Sequence, residues 1–204
     1  MQVNTEASNT SAMRQLNLKK QRVCESALEH KEVDLSCDSS GLLDLKVSTV
    51  LNANPDFGSL ADILAPNTEK AVVSDADQQL LIKLSFRELV HVKSIIIGAD
   101  HPPQGGEEDE DSYSAPMAVK VFANQPAMDF NDIESGSVSP GGEFTLSFSK
   151  GDEEMPLMQH KFSRVKDLAI FVEDNTCQTE FSYINRLRVM GCKAPTYHSE
   201  YKKQ

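Results

Sequence analysis

The sequence predicts an all-β fold, an antiparallel β-sandwich or jelly roll. Three observations carry that expectation: seven or eight short runs have strand patterning, no strand–helix–strand alternation occurs, and no internal repeat is present. The clearest patterning lies in residues 165–191. Leu168, Ile170 and Val172 alternate with Ala169 and Phe171, so both faces are apolar, as in a strand covered on both sides. Glu173, Asp174 and Asn175 break the pattern. A second run, 181–190, then puts Phe181, Tyr183, Leu187 and Val189 on one parity and Arg186 and Arg188 on the other. Strand, polar turn, strand is the expected arrangement, closed by Gly191.

Taken in order, residues 1–32 predict a disordered segment rich in Ser, Thr, Asn and Gln. A short helix is expected where Leu16, Val23, Ala27 and Leu28 recur at helical spacing. Residues 33–65 have no clean period and predict an ordered wrap on the core. Within it Asn54, Pro55 and Asp56 mark a turn, and Gly58 starts a helical turn ending before Pro66. Ile82, Leu84 and Phe86 alternate with Lys83 and Ser85 in a half-buried strand. Residues 90–98 hold the β-branched run Ile95, Ile96, Ile97. Arg87, Glu88 and Leu89 between them predict a tight turn and hence a hairpin. Residues 101–114 contain Pro, Gly and five consecutive acids, 107–111, and predict a solvated loop. A strand follows over 117–124. In the connection 125–142, Met128, Phe130 and Ile133 are expected to pin the loop to the core. Residues 143–148 and 155–162 read as two strands around a Gly-Asp-Glu-Glu turn. Residues 193–204 predict a flexible tail. The domain itself is expected over 33–192.

The 204 residues carry 31 acids against 20 bases, a formal charge of −11. That balance argues against partners bound by phosphate neutralisation, so neither nucleic acid nor an anionic membrane is expected. No apolar run reaches the ~20 residues that cross a bilayer, and the first residues lack a secretory apolar stretch. The expected location is cytoplasmic or nuclear, and the expected state is a monomer. The Asn9 sequon is then idle.

The chemistry-bearing residue types do not converge. Cys24, Cys37, Cys177 and Cys192 form no C-x-x-C pair and suit neither zinc nor a thioredoxin-type centre. The five histidines are scattered, His91 and His160 falling in expected strands. No Ser stands in a nucleophile elbow, and the Gly pairs make no phosphate loop. Asp75 and Asp77 open a calcium-loop pattern, but Leu80 and Phe86 occupy positions where it needs Gly and Glu. No catalytic residue, metal ligand or cofactor is predicted. Met155, Met158 and Met190 read as core fillers. In the tail, Tyr197, His198 and Tyr201 are candidates for a docking peptide that orders on binding; the plain alternative is an inert polar end.

Four blocks support a resemblance. S-D-A-D-Q-Q-L-L-I-K-L-S-F (74–86) with V-H-V-K-S-I-I-I-G (90–98) resembles the first hairpin of the PITH domain. V-K-V-F-A-N-Q-P-A-M-D-F-N-D-I-E (119–134) is similar to that family's strand and M-D-F loop. K-F-S-R-V-K-D-L-A-I-F-V-E-D-N (161–175) and I-N-R-L-R-V-M-G (184–191) are similar to its final strands. The resemblance implies a jelly roll of galactose-binding-like type and a non-enzymatic adaptor that associates with the 19S regulatory particle of the 26S proteasome. It implies no catalytic residue. The acidic loop and the tail lie outside the four blocks, and no C-x-x-C domain precedes them, so the stand-alone type of PITH protein is the nearer expectation. The candidate partner-binding residues are Arg186, Arg188, Tyr197, His198 and Tyr201. A β-sandwich that binds a carbohydrate or other small ligand is the alternative; a thiol-dependent enzyme is a third reading.

Overall fold

The computed structural model describes residues 32–66, 70–103, 112–149 and 151–194. The expected N-terminal helix, the terminal disorder, most of the acidic loop and the tail residues Tyr197, His198 and Tyr201 lie outside them. The described residues form a β-sandwich organised around a single long strand, β4 (Leu80–Gly98). Eight strands run β1 (Val33–Asp34), β11 (Arg186–Lys193), β4, β9 (Val165–Asn175), β6 (Pro116–Ala123) and β7 (Gly142–Thr145), with β2 (Thr49–Leu51) and β8 (Glu153–Pro156) also paired to β4. All these pairings are antiparallel. A small second sheet holds β3 (Val72–Val73), β10 (Phe181–Ile184) and β5 (Tyr113–Ser114).

The hairpin expected at Arg87–Leu89 is absent. Leu80–Ser85 pairs with β2 on one side and β9 on the other, whereas Val90–Gly98 pairs with β11 and residues 94–97 also with β8. One strand therefore serves both layers. The turn reading failed because Arg87 and Glu88 are exposed for a different reason: the ladder to β9 jumps from Ser85↔Asp167 to Val90↔Val165, and the extra residues carry β4 round the corner. Leu80, Ile82, Leu84, Phe86, Val90 and Val92 face the main core, and Ile95 and Ile97 continue it on the other parity. The parity change is a second bulge. Met190 opposes Ser94 and Gly191 opposes Val92, leaving Lys93 unmatched. Gly191 is required there, because a Cβ would run into the carbonyl oxygen of His91 and sit 2.9 Å from Leu35 Cδ1.

The expected hairpin of residues 165–191 is also absent. β9 lies between β4 and β6, while β11 lies on the other half of β4. The second run is two strands, not one: Phe181 and Tyr183 pack in a small aromatic cluster with Tyr113 and Val73, and Leu187 and Val189 pack in the main core. Periodicity identified the strands but could not choose their partners.

The two-faced apolar pattern of β9 is borne out. Leu168, Ile170 and Val172 enter the main core, and Ala169 and Phe171 join Leu81, Phe122 and Met128 on the outer face. Helix α2 (Phe130–Glu134), capped by Asp129, brings Phe130 and Ile133 onto that face. The 125–141 connection is thus pinned as its sequence predicts. Helix α1 (Leu60–Leu64), with a Ser59–Asp62 capping box, seats Leu60 and Ile63 in the core and ends before Pro66. Residues 143–148 and 155–162 do not form a pair either, since β7 pairs with β6 and β8 with β4. His160 consequently lies in a turn rather than a strand, and Met158 is 56% exposed while Met155 is fully buried.

Replacing Gly191 by Ala should cost about 1–3 kcal/mol, the usual range for forcing an atom into a filled site. Urea unfolding of the two chains measures it, and unchanged stability would contradict the bulge geometry.

Candidate interaction surface

The arginines singled out by the sequence lie on one outer face, built by β1, β11, the second half of β4 and β8. Residues two apart on a strand share a face, so Arg186, Arg188 and Met190 line up on β11 beside Gly98, Ile96 and Ser94 on β4. On the far side of β4, Glu154 opposes Ile96 and Pro156 opposes Ser94. Asp34 of β1 opposes Met190 at the near edge. Cross-strand rows result, one of them Arg188–Ile96–Glu154.

Arg186 is not the free cation the sequence suggests. Its Nη2 lies 2.8 Å from Asp100 Oδ2, and its Nη1 is bonded to Asp152 Oδ1. Only 28% of the side chain is exposed. The reason is the residue between them. Gly98 is the register partner of Arg186, and Asp152 immediately precedes β8 across β4. A Cβ at Gly98 would stand 2.5 Å from Asp152 Oδ1 and 3.0 Å from Arg186 Nη1. The missing side chain is the space through which the guanidinium reaches Asp152. The hydrogen bonds that Arg186 donates to Asp152 and then to Asp100 raise its pKa further above its ordinary value, so its charge is fixed at any working pH. The triad ties the start of the 101–111 loop and the β7–β8 connection to β11. Asn185 adds to it, its side-chain oxygen accepting from the His101 amide at 3.3 Å.

Arg188 is half-buried and has no carboxylate partner among the described residues. Of the two arginines it is the one whose charge is unspent. The sequence could not separate them, because neither Asp100 nor Asp152 is a sequence neighbour and only the β4–β8 pairing brings Asp152 close. Beyond β11 the chain passes Ala194, whose amide donates to the Leu89 carbonyl at 2.9 Å, at the corner of β4. The corner of β4 and the Arg186 triad therefore lie at opposite ends of β11.

The remaining chemistry is quiet. Burial pushes the Cys192 thiol up, which disfavours the nucleophilic thiolate. Tyr183 is raised chiefly by burial and then by Asp100 and Cys177. One groove of about 190 Å³ opens on the outer face of the other layer, between Val47, Lys83, Ser85, Pro126 and Asp167; none of its lining residues is aromatic.

A family model described as the PITH domain matches residues 9–203. The chain belongs to the PITH family. The match spans the acidic loop and nearly all of the tail, which the four sequence blocks leave out. The chain is 35% identical over 144 residues to "Thioredoxin-like protein 1" of Schizosaccharomyces pombe, covering 69% of this chain and 46% of that protein. It is 32% identical over 139 residues to "PITH domain-containing protein 1" of Homo sapiens, covering 65% and 59%. The chain thus matches about half the length of these relatives. Among solved structures, a family 32 carbohydrate-binding module from Clostridium perfringens NanJ in complex with galactose superposes with a TM-score of 0.53 at 10% identity, covering 78% of this chain and 99% of that one. That likeness makes the PITH fold here a sandwich of galactose-binding-like architecture.

Changing Asp152 to Asn should destabilise the PITH domain by about 1 kcal/mol, the scale of a partly exposed charged hydrogen bond. A double-mutant cycle with Arg186→Gln should return most of that as coupling; a coupling near zero would show that the pair contributes nothing.

Proposed function

We propose that this chain is a non-enzymatic protein-interaction module that associates with the 19S regulatory particle of the 26S proteasome, in the cytoplasm or nucleus, and is a monomer on its own. The observation that carries the reading is the family match over 9–203, through the proteasome association that PITH membership implies. The surface chemistry supports a binding role: a rigid sheet face presents Arg188 and Ile96 between Asp34 and Glu154, with Arg186 held fixed beside them. Such a face, part apolar and fringed with both charges, suits a protein partner. Docking through Arg188, with Tyr197, His198 and Tyr201 supplying a second contact, accounts for the candidate residues in one scheme. Arg188 and the tail residues belong to one chain a few residues apart, so each contact would add to the other through effective concentration.

A sugar-binding role rests on the fold alone. The groove beside Lys83 offers no aromatic ring on which a sugar could stack.

Immobilised chain should capture purified 26S proteasome in a surface-binding measurement. Arg188→Glu should weaken capture at least several-fold, and removal of residues 195–204 should weaken it further. No capture by the intact chain would overturn the reading. Unchanged capture by both variants would leave the proteasome assignment standing and reject these residues as its contacts.

A further inference from the structure

We propose that the corner of β4 carries a basic docking surface for an acidic polypeptide segment. The sequence supplies the first observation. In a chain with 31 acids and 20 bases, no carboxylate occurs between Glu154 and Asp167, whereas Lys161, Arg164 and Lys166 fall in that stretch. The fold brings these side chains to the point where β4 turns from one layer to the other. Val165 pairs with Val90 just past the corner, and the Phe162 carbonyl accepts the Val92 amide at 3.0 Å. Lys166 Nζ donates to the Arg87 carbonyl at 2.8 Å, which places the corner residue Arg87 in the same patch.

The backbone beneath is rigid. Phe162 and Val165 are fully buried, so the exposed Lys161, Arg164 and Lys166 stand on fixed anchors. Asn124, with a left-handed φ of 59°, clamps the stretch from the neighbouring strand: its Nδ2 donates to the Arg164 carbonyl at 3.0 Å and its Oδ1 accepts from the Lys166 amide at 2.8 Å. Three carboxylates lie nearby. Glu88 pairs with Lys193 and Asp167 accepts from the Ser85 hydroxyl, while Asp44, 4.0 Å from Arg87 Nε, offsets Arg87 and leaves the other three cations. Lys161, Arg164 and Lys166 have no carboxylate partner among the described residues. A cluster of exposed cations on an anchored backbone suits a run of carboxylates. Nucleic acid is disfavoured, because the chain's net charge of −11 opposes a polyanion of high charge density. The surface is distinct from the Arg188 face and does not depend on which complex the chain joins.

The test is a fluorescence-anisotropy titration of the full chain with a dye-labelled peptide of alternating Glu and Gly. Binding should weaken as salt rises towards about 0.15 M. Reversing two charges, Arg164→Glu with Lys166→Glu, should weaken it by about tenfold or more, and the Gln pair by less. Lys70→Glu, which reverses a charge elsewhere, should leave it unchanged, and circular dichroism of each variant should match the parent. Absence of peptide binding at low salt would overturn the proposal, as would equal losses from the Lys70 and corner variants. Tighter binding of a single-stranded oligonucleotide of matched charge would overturn the assignment to an acidic polypeptide.

Discussion

Everything in this fold depends on β4 serving two layers at once. Its first half completes one layer between β2 and β9, and its second half completes the other between β11 and β8. Eight of its side chains, from Leu80 to Ile97, lie in the main core. At about 1.5–3 kcal/mol for each buried aliphatic or aromatic side chain, that strand alone rivals the net stability of about 5–15 kcal/mol expected of a domain. A strand so placed cannot shift without unpacking both layers. The bulges at Arg87–Leu89 and Lys93 are what let one strand change layer and still present apolar side chains to a common core.

The same constraint sets where binding chemistry can sit. Both ends of the second half of β4 are fastened, at one end by Arg186 passing over Gly98 to Asp152, at the other by the backbone bonds of Leu89 and Val92 to Ala194 and Phe162. Charges spent in the first of these fastenings are unavailable for recognition. Among the described residues, Arg188 on the flat face and Lys161, Arg164 and Lys166 at the corner are cations without a carboxylate partner. On the outer face of the other layer, Met128, Phe130 and Ile133 cover Leu81, Phe122 and Phe171 and so hold the fold.

Much of this was legible in the sequence. The all-β class, the two-faced apolar β9, the pinning residues of the 125–142 connection and the helical turn before Pro66 all follow from local pattern, because burial imposes the period of two and Gly and Pro punctuate the chain. What was illegible is pairing. The hairpins expected around Arg87–Leu89 and within 165–191 are the shortest connections, yet β4 runs on through its corner and separates β9 from β11. Charged residues at a corner and charged residues in a turn look identical when read along the chain. For the candidate site, the shared face of Arg186 and Arg188 was readable from parity. That Arg186 is consumed by two aspartates, 86 and 34 positions away, was not.

The central claim, that one strand locks both layers into a single cooperative unit, is tested most directly by native-state hydrogen exchange. Amides of residues 80–85 and of residues 94–97 should exchange only through global unfolding, with opening free energies equal to within about 1 kcal/mol and equally sensitive to denaturant. If one set opened several kcal/mol below the other, the two layers would be separable and the account wrong.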